Sequence, residues 1–255
     1  MSEAIHSETL RDGGVERIVL ARPPANIVDM AAVAAVRAHL ARLSERPSLR
    51  LILFDSEGDH FSYGASVAEH LPDVVGAMLP GFHRLFVELE ALGIPTAAVV
   101  RGQCLGGGAE LATWCGTVYC SPSAVFSVPE VRLAVFPPIA AMALPWRVGG
   151  AVATRLVTSA ERLRGPEAAA MGLADRCIED PGAALLAWYD SALAPLSPAA
   201  LRVAWRAARR PMARALAEEL PALERLYLEE LMAHPDATEG LQAFLDKRPP
   251  AWRHP

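Results

Sequence analysis

The chain has 255 residues, 52% of them apolar, which is enough for one large domain, or for one domain with a small appendage. Its 24 basic and 29 acidic residues leave a net charge of −5, so there is no general electrostatic pull toward nucleic acid or an anionic membrane. The four cysteines (Cys104, Cys115, Cys120, Cys177) form no Cys-x-x-Cys pair and no two histidines stand at metal-ligand spacing; no metal site is expected, and the cysteines read as reduced apolar residues of a cytoplasmic protein. Met1–Leu10 carries Glu3, His6 and Glu8 and lacks the apolar stretch of a signal peptide. The apolar runs are too short or too interrupted to span a bilayer.

In chain order, Val15–Leu20 reads as a strand between Gly13-Gly14 and Pro23-Pro24. Met30–Leu43 is alanine-rich with apolar residues at helical spacing and stops before Pro47. Leu49–Phe54 and Thr96–Val100 are apolar runs that suit strands buried on both faces. Between them, Pro72–Leu92 is a long helix with Leu79, Phe82, Leu85, Phe86 and Leu89 along one side. Ala109–Trp114 is a short helix, and Thr117–Cys120 and Val125–Val128 are two more strands. From Pro137 the strand signals fade. Helices are expected at Ala140–Val148, Ala151–Thr158, Pro166–Met171, Gly182–Leu193, Pro198–Arg209, Arg214–Met232 (divided or kinked at Pro221) and Thr238–Lys247. The pattern is a strand-and-helix core over about 1–190 and a helical region over 191–255. The basic face of Arg202, Arg206, Arg209, Arg210 and Arg214 has glutamates close behind it and reads as a solvated or subunit-facing surface.

The stretch from Gly102 to Leu111 places three glycines, Gly106–Gly108, between a strand and a helix, with Glu110 two residues on. A helix N-terminus offers unpaired N–H groups and partial positive charge. Bare backbone lets a ligand carbonyl approach, the logic of an oxyanion hole. A close strand-to-helix crossing explains the glycines equally well. The run lacks both the Gly-x-Gly-x-x-Gly and the Gly-Lys-Ser/Thr phosphate patterns. A second donor is available upstream in His60–Ser66, where Gly64 marks close approach and the N–H of Ala65 can point into the same crevice. Crevices form at the carboxyl ends of parallel strands, and both segments follow strands.

Glu110 lies in a first helical turn, and Glu130 follows a strand and Pro129. Singly, one is a dipole-compensating acid and the other a turn acid. Together with two glycine-marked segments they suit paired acid–base work: adding water to an alkene needs one group to take a proton and one to give it. Crowded carboxyl groups repel, which keeps one protonated near neutrality. His60, His70 and His83 flank the first loop and read as structural or solvent-facing, with His70 and Glu69 near a pocket mouth.

Along nearly its whole length the chain resembles the crotonase (enoyl-CoA hydratase/isomerase) family. The resemblance rests on "ARPPANIVD", "HFSYGAS", "PTAAVVRGQCLGGGAELATWC", "AVFSVPEVRLAVFPP", "EAAAMGLADRCIED" and "DATEGLQAFLDKRP", in that order. It implies an α/β fold, a crotonase-like ββα superhelix with a helical C-terminal region used in trimer or hexamer formation. It implies an acyl-CoA thioester substrate, with CoA part of the substrate and no separate cofactor. The carbonyl would lie between the N–H groups of Ala65 and Gly107. Arg22, Ala25, Ser62 and Tyr63 match segments lining the CoA pocket, and Phe244 and Lys247 match a pair that reaches a neighbour's CoA.

Glu110 and Glu130 match the two acids of the family's hydratases; many isomerases, hydrolases and dehalogenases of the fold lack one. The alternatives are a straight-chain enoyl-CoA hydratase or isomerase and a non-catalytic acyl-CoA-binding member; some relatives of the fold bind RNA, which the acidic charge here disfavours. Three places depart from the family pattern: Ser66 in place of the usual Asp, Gly116 after Cys115, and Ala134–Ala140, bulky where glycine is usual. The last would border the acyl pocket. With "FSYGASVAEHLPD" and "AMLPGFH", it resembles the subgroup that hydrates cyclohexa-1,5-diene-1-carbonyl-CoA.

Overall fold

A tight turn opens the fold: Gly13 N–H donates to Leu10 O (3.2 Å) and Gly14 N–H to Arg11 O (3.0 Å). It joins β1 (Ile5–Leu10) to β2 (Val15–Leu20) as an antiparallel pair with Leu10 opposite Val15. β1 is absent from the sequence expectation because it is an edge strand whose outward residues, including Ser7 and Thr9, dilute its apolar signal. The structure, a computed structural model, describes residues 3–253.

Four parallel strands continue the sheet: β3 (Leu51–Ser56), β4 (Thr96–Val100), then β6 (Thr117–Cys120) and β9 (Arg176–Cys177), with β5 (Gln103–Leu105) intervening in the chain. The order is β1-β2-β3-β4-β6-β9. β3 runs two residues beyond Phe54 because Asp55 is buried between two arginines, Arg17 at 2.6 Å and Arg101 at 2.7 Å. β5 forms a second, three-stranded sheet with β7 (Val125–Ser127) and β8 (Leu163–Arg164). β8 and β9 are two residues each, too short to show a period, and correct the expectation that strands end before Pro137.

The helices are α1 (Met30–Leu43), α2 (Pro72–Leu92), α3 (Gly107–Trp114), α4 (Pro138–Val148), α5 (Gly150–Ser159), α6 (Gly165–Ala170), α7 (Pro181–Ala192), α8 (Pro198–Glu218), α9 (Leu220–Arg225) and α10 (Pro235–Leu245). α1 starts at Asp29, whose carboxylate accepts from Ala32 N–H at 2.8 Å. α2 stops at Gly93, held at φ +62°. α8 was expected to end at Arg209 but passes through Pro211. Arg209 fastens it there, with its guanidinium 5.2 Å from the Trp114 ring, 5.0 Å from the Trp205 ring and 2.9 Å from Glu90. The arginine-rich face is therefore not one solvated surface. Arg202 also turns inward, donating to Arg46 O at 2.6 Å. The break foreseen at Pro221 falls between α8 and α9, and a π-helical turn, Leu226–Leu231, follows.

The main apolar core lies on one face of the large sheet and draws in Met212, Leu216, Leu220, Tyr227 and Leu241 from the C-terminal helices. α7 covers the other face, with Leu185, Tyr189 and Leu193 against Val15, Leu53, Ala97 and Val99.

The chain winds in turns that repeat one plan. Three successive turns each place a strand in the large sheet, then a short extended piece beside the small sheet or in it, then a helix or helical turn. Ser62, β5 and β7 are three successive such pieces: Ser62 bridges in parallel to Cys104, and Leu105 stands opposite Ser127. Neighbouring strands lie about 4.8 Å apart, so the corners that follow these pieces stack on one another.

Candidate active site

Those three stacked corners are Gly64-Ala65, Gly106-Gly107 and Pro129-Glu130, and all six residues line one cleft. Gly106 N–H donates to Ser127 O at 3.0 Å, tying the second corner to the third. Gly64, at φ +100°, has no room for a side chain: a Cβ there would lie 2.8 Å from Leu105 O and 3.2 Å from Gly107 N. A Cβ on Gly107 would in turn lie 3.2 Å from Ala65 N. The amides of Ala65 and Gly107 are thus brought side by side. Gly107 opens α3, so its N–H has no acceptor within the helix. Among the described residues neither amide donates a hydrogen bond to the protein. Two free donors facing one cleft form the geometry that stabilises a developing oxyanion.

The other two glycines serve different neighbours. A Cβ on Gly106 (φ +50°) would lie 2.8 Å from Glu130 Oε1, and one on Gly108 would lie 2.5 Å from Ser62 Cβ. Ser62 itself sits beneath the loop, fully buried. Its hydroxyl donates to Asn26 O at 2.7 Å and accepts from Gly64 N–H at 3.0 Å. It shapes the first corner rather than facing the cleft.

Glu110 and Glu130 share this cleft. Glu110 projects from α3 to the N-terminus of α4, where its Oε1 accepts from Ala140 N–H at 2.9 Å. Burial pushes its carboxyl up to about 7, and the Ala140 and Ile139 amides restrain the rise. Glu130 begins a 3₁₀ turn, Glu130–Leu133. Its Oε2 is buried and, among the described residues, unpartnered. Burial and the nearby charge of Glu110 hold the Glu130 carboxyl well above the ordinary carboxylate range. The two titrate as a pair in which Glu110 is the member stabilised as an anion by helix amides, and Glu130 keeps the proton. The cleft therefore offers a base and an acid at neutral pH.

A pH profile follows. A base at Glu110 would make kcat/KM fall as pH drops through about 7. An acid at Glu130 would add a second fall at higher pH, well above the ordinary carboxylate range. Initial rates across pH should give a bell; a flat profile from pH 5 to 9 would contradict the pairing.

Tyr63 stands at the cleft mouth, 43% exposed. Its N–H donates to Ala25 O at 2.8 Å, which brings the Arg22–Ala25 segment alongside. Arg22 pairs with Asp29 at 2.7 Å. Phe244, on α10, is 56% exposed, and neither it nor Lys247 lines the cleft. His70 does line it, with its ring bonded to Ser66 O at 2.7 Å, whereas Glu69, expected beside it, does not. His83 is buried and pairs with Glu224 at 2.7 Å, and His60 packs edge-on against Tyr63. Val135, Phe136, Pro137 and Pro138 form a wall, as their bulk suggested. Phe82 and Tyr227, which complete the cleft, are missed by the sequence reading. Phe82 sits on the apolar stripe of α2 and looks like core. Tyr227 sits in the π-helical turn, where a regular helical period misplaces it.

A family model described as enoyl-CoA hydratase/isomerase matches residues 11–255. The chain belongs to the enoyl-CoA hydratase/isomerase family. Membership bears out the expected resemblance, and the crotonase-like α/β fold is confirmed by solved relatives. The enoyl-CoA hydratase/isomerase from Pseudoalteromonas atlantica superposes with a TM-score of 0.87 at 25% identity, over 98% of this chain and 100% of that one. An enoyl-CoA hydratase from Mycobacterium avium subsp. paratuberculosis has the same fold, with a TM-score of 0.85 over 98% and 99% of the chains. Among curated family members, the cyclohexa-1,5-dienecarbonyl-CoA hydratase of Thauera aromatica is 48% identical over 244 residues, 96% of this chain and 95% of that protein. The carnitinyl-CoA dehydratase of Proteus mirabilis is 30% identical over 99% of both chains. The expectation of a hydratase-type member agrees with these relatives. Among the described residues, no helix is long and apolar enough to cross a membrane.

Proposed function

We propose that the chain is a hydro-lyase adding water to a cyclic conjugated dienoyl-CoA thioester, cyclohexa-1,5-diene-1-carbonyl-CoA. The observation that carries the reaction type is the cleft itself: two free amides on stacked corners and two buried glutamates whose carboxyls are both raised beside them. The 48% identity to the Thauera aromatica hydratase supports the acyl group, as does the rigid wall of Phe136, Pro137 and Pro138.

In this reading the thioester oxygen lies between the N–H groups of Ala65 and Gly107. Glu110 takes a proton from water as the water oxygen bonds to the alkene carbon. The π electrons move toward the thioester, whose oxygen gains charge at the two amides. Glu130 gives its proton to carbon, and transfer of a proton from Glu110 back to Glu130 resets the pair. CoA belongs to the substrate, and no further cofactor enters. Arg22, Ala25 and Tyr63 border the CoA arm, with Ser62 supporting their loop. Residues 191–255 supply the trimer or hexamer contacts of a cytoplasmic enzyme, placing Phe244 and Lys247 against a neighbour's CoA.

A substrate panel tests the acyl group. The cyclic dienoyl-CoA should exceed crotonyl-CoA in kcat/KM by about 100-fold, the scale on which an apolar pocket discriminates. Preference for crotonyl-CoA would make the chain a straight-chain enoyl-CoA hydratase instead.

A further inference from the structure

One polar group in the cleft has no protein partner and no part in the steps above: the phenol of Tyr227. The residue is 1% exposed and lines the same cleft as Glu110 and Glu130. Its hydroxyl is buried and, among the described residues, makes no hydrogen bond. An unpaired buried hydroxyl is costly, and phenylalanine would remove that cost without changing the ring. The ring is well fixed, with its centroid 5.4 Å from that of Phe136. It is carried by the π-helical turn Leu226–Leu231, a local underwinding of the kind that often marks functional positions.

The phenol must also stay neutral. Burial raises its ionisation well above the ordinary value, and negative charge on Glu130 and Glu110 raises it further. It therefore always holds a proton to donate. Neither glutamate takes that proton, although Glu130 Oε2 is itself buried and unpartnered. Two orphaned polar atoms facing one cleft leave a place between them for an oxygen that belongs to neither.

We propose that the Tyr227 hydroxyl donates a hydrogen bond to the oxygen atom that is added: water in hydration, the ring alcohol in the reverse direction. This rests on the hydratase reading above. The water gives one proton to Glu110 and must aim a lone pair at carbon. A donor on its other lone pair fixes that aim, which is positional catalysis of the kind that misplacement readily destroys. In dehydration the same bond steadies the departing hydroxide oxygen.

The Tyr227→Phe variant tests this in the full-length enzyme with three measurements. Its melting temperature should equal or exceed that of wild type, because the orphaned hydroxyl is gone. Its kcat for hydration of the cyclic dienoyl-CoA should fall about 10- to 100-fold. Its affinity for the hydroxycyclohexene-carbonyl-CoA product should fall about tenfold, while its affinity for cyclohexane-carbonyl-CoA, which has no hydroxyl, stays within about twofold. A packing role would move both affinities together, and that result, or an unchanged kcat, overturns the proposal. Wild-type activity separates the two levels of inference. If the wild type hydrates the diene and Tyr227→Phe does so equally well, this inference alone falls. If the wild type hydrates none of the panel, the hydratase reading falls and takes this one with it.

Discussion

Glu110→Gln and Glu130→Gln each lower kcat for hydration about 10³-fold, while KM for the CoA ester moves less than about threefold. Glutamine keeps the length and one carbonyl oxygen of the side chain. At position 110 that oxygen can still accept from Ala140 N–H, so the local fold survives while the ability to take a proton from water is lost. At position 130 an amide cannot release a proton to carbon. The double variant should be little worse than either single one, because both groups serve one step. Stability moves the opposite way. An unfolded glutamate ionises near 4.5, and the folded Glu130 does so well above that. Between those values the folded wild type holds a proton that the unfolded chain releases, so its stability falls by about 1.4 kcal/mol per pH unit as pH rises. Glu130→Gln loses this contribution and keeps only that of Glu110, which ends at about pH 7, so the variant should gain on wild type as pH rises from 5 in urea titrations. An activity loss below about tenfold in either variant would strip that residue of its acid–base role.

The parts of this site that can be read in the sequence are those whose cause is local. β2, β4, β6, α1 and α2 have the expected bounds because their apolar residues follow strand or helix periods. Glu110 stands out in the first turn of the glycine helix, and Glu130 just beyond a strand. The glycine run shows that bare backbone is needed, but not for whom. The structure answers with close approach at all three glycines, each against a different neighbour. Gly107 clears the Ala65 amide, Gly106 clears the carboxylate of Glu130, and Gly108 clears Ser62. Those neighbours lie on other turns of the chain, so no window of sequence contains them.

The missed features share one origin. Ser62 looks like a pocket hydroxyl, yet Asn26 O claims its proton. Arg209 looks like a surface charge, yet two tryptophans and Glu90 enclose it. Tyr227 looks like one more helical residue, because the π-helical turn that carries it is a tertiary effect. Each depends on which turn of the spiral packs beside which. The β5–β7 register and the Ser62–Cys104 bridge fix that pairing.

The stacking of corners yields the second large effect. Gly64→Ala lowers kcat about 10²- to 10³-fold and also destabilises the protein, two outcomes with one cause. The added Cβ would lie 2.8 Å from Leu105 O and 3.2 Å from Gly107 N, both main-chain atoms of the next corner. Such atoms cannot swing aside as the end of a flexible side chain can. The φ of +100° adds strain of its own, for a total of about 1–3 kcal/mol. Relief requires the first corner to move away from the second, which parts the Ala65 amide from the Gly107 amide. Losing one properly aimed oxyanion donor costs about 3–4 kcal/mol of transition-state stabilisation. Because the donors act mainly as charge develops, kcat should fall far more than affinity for a saturated acyl-CoA. Gly76→Ala is the control: it lies in α2 with nothing within 4 Å of its would-be Cβ. That change should stabilise by up to about 1 kcal/mol and leave kcat alone. Equal activity in the two alanine variants would mean that contact between the corners does not set the aim of the amides.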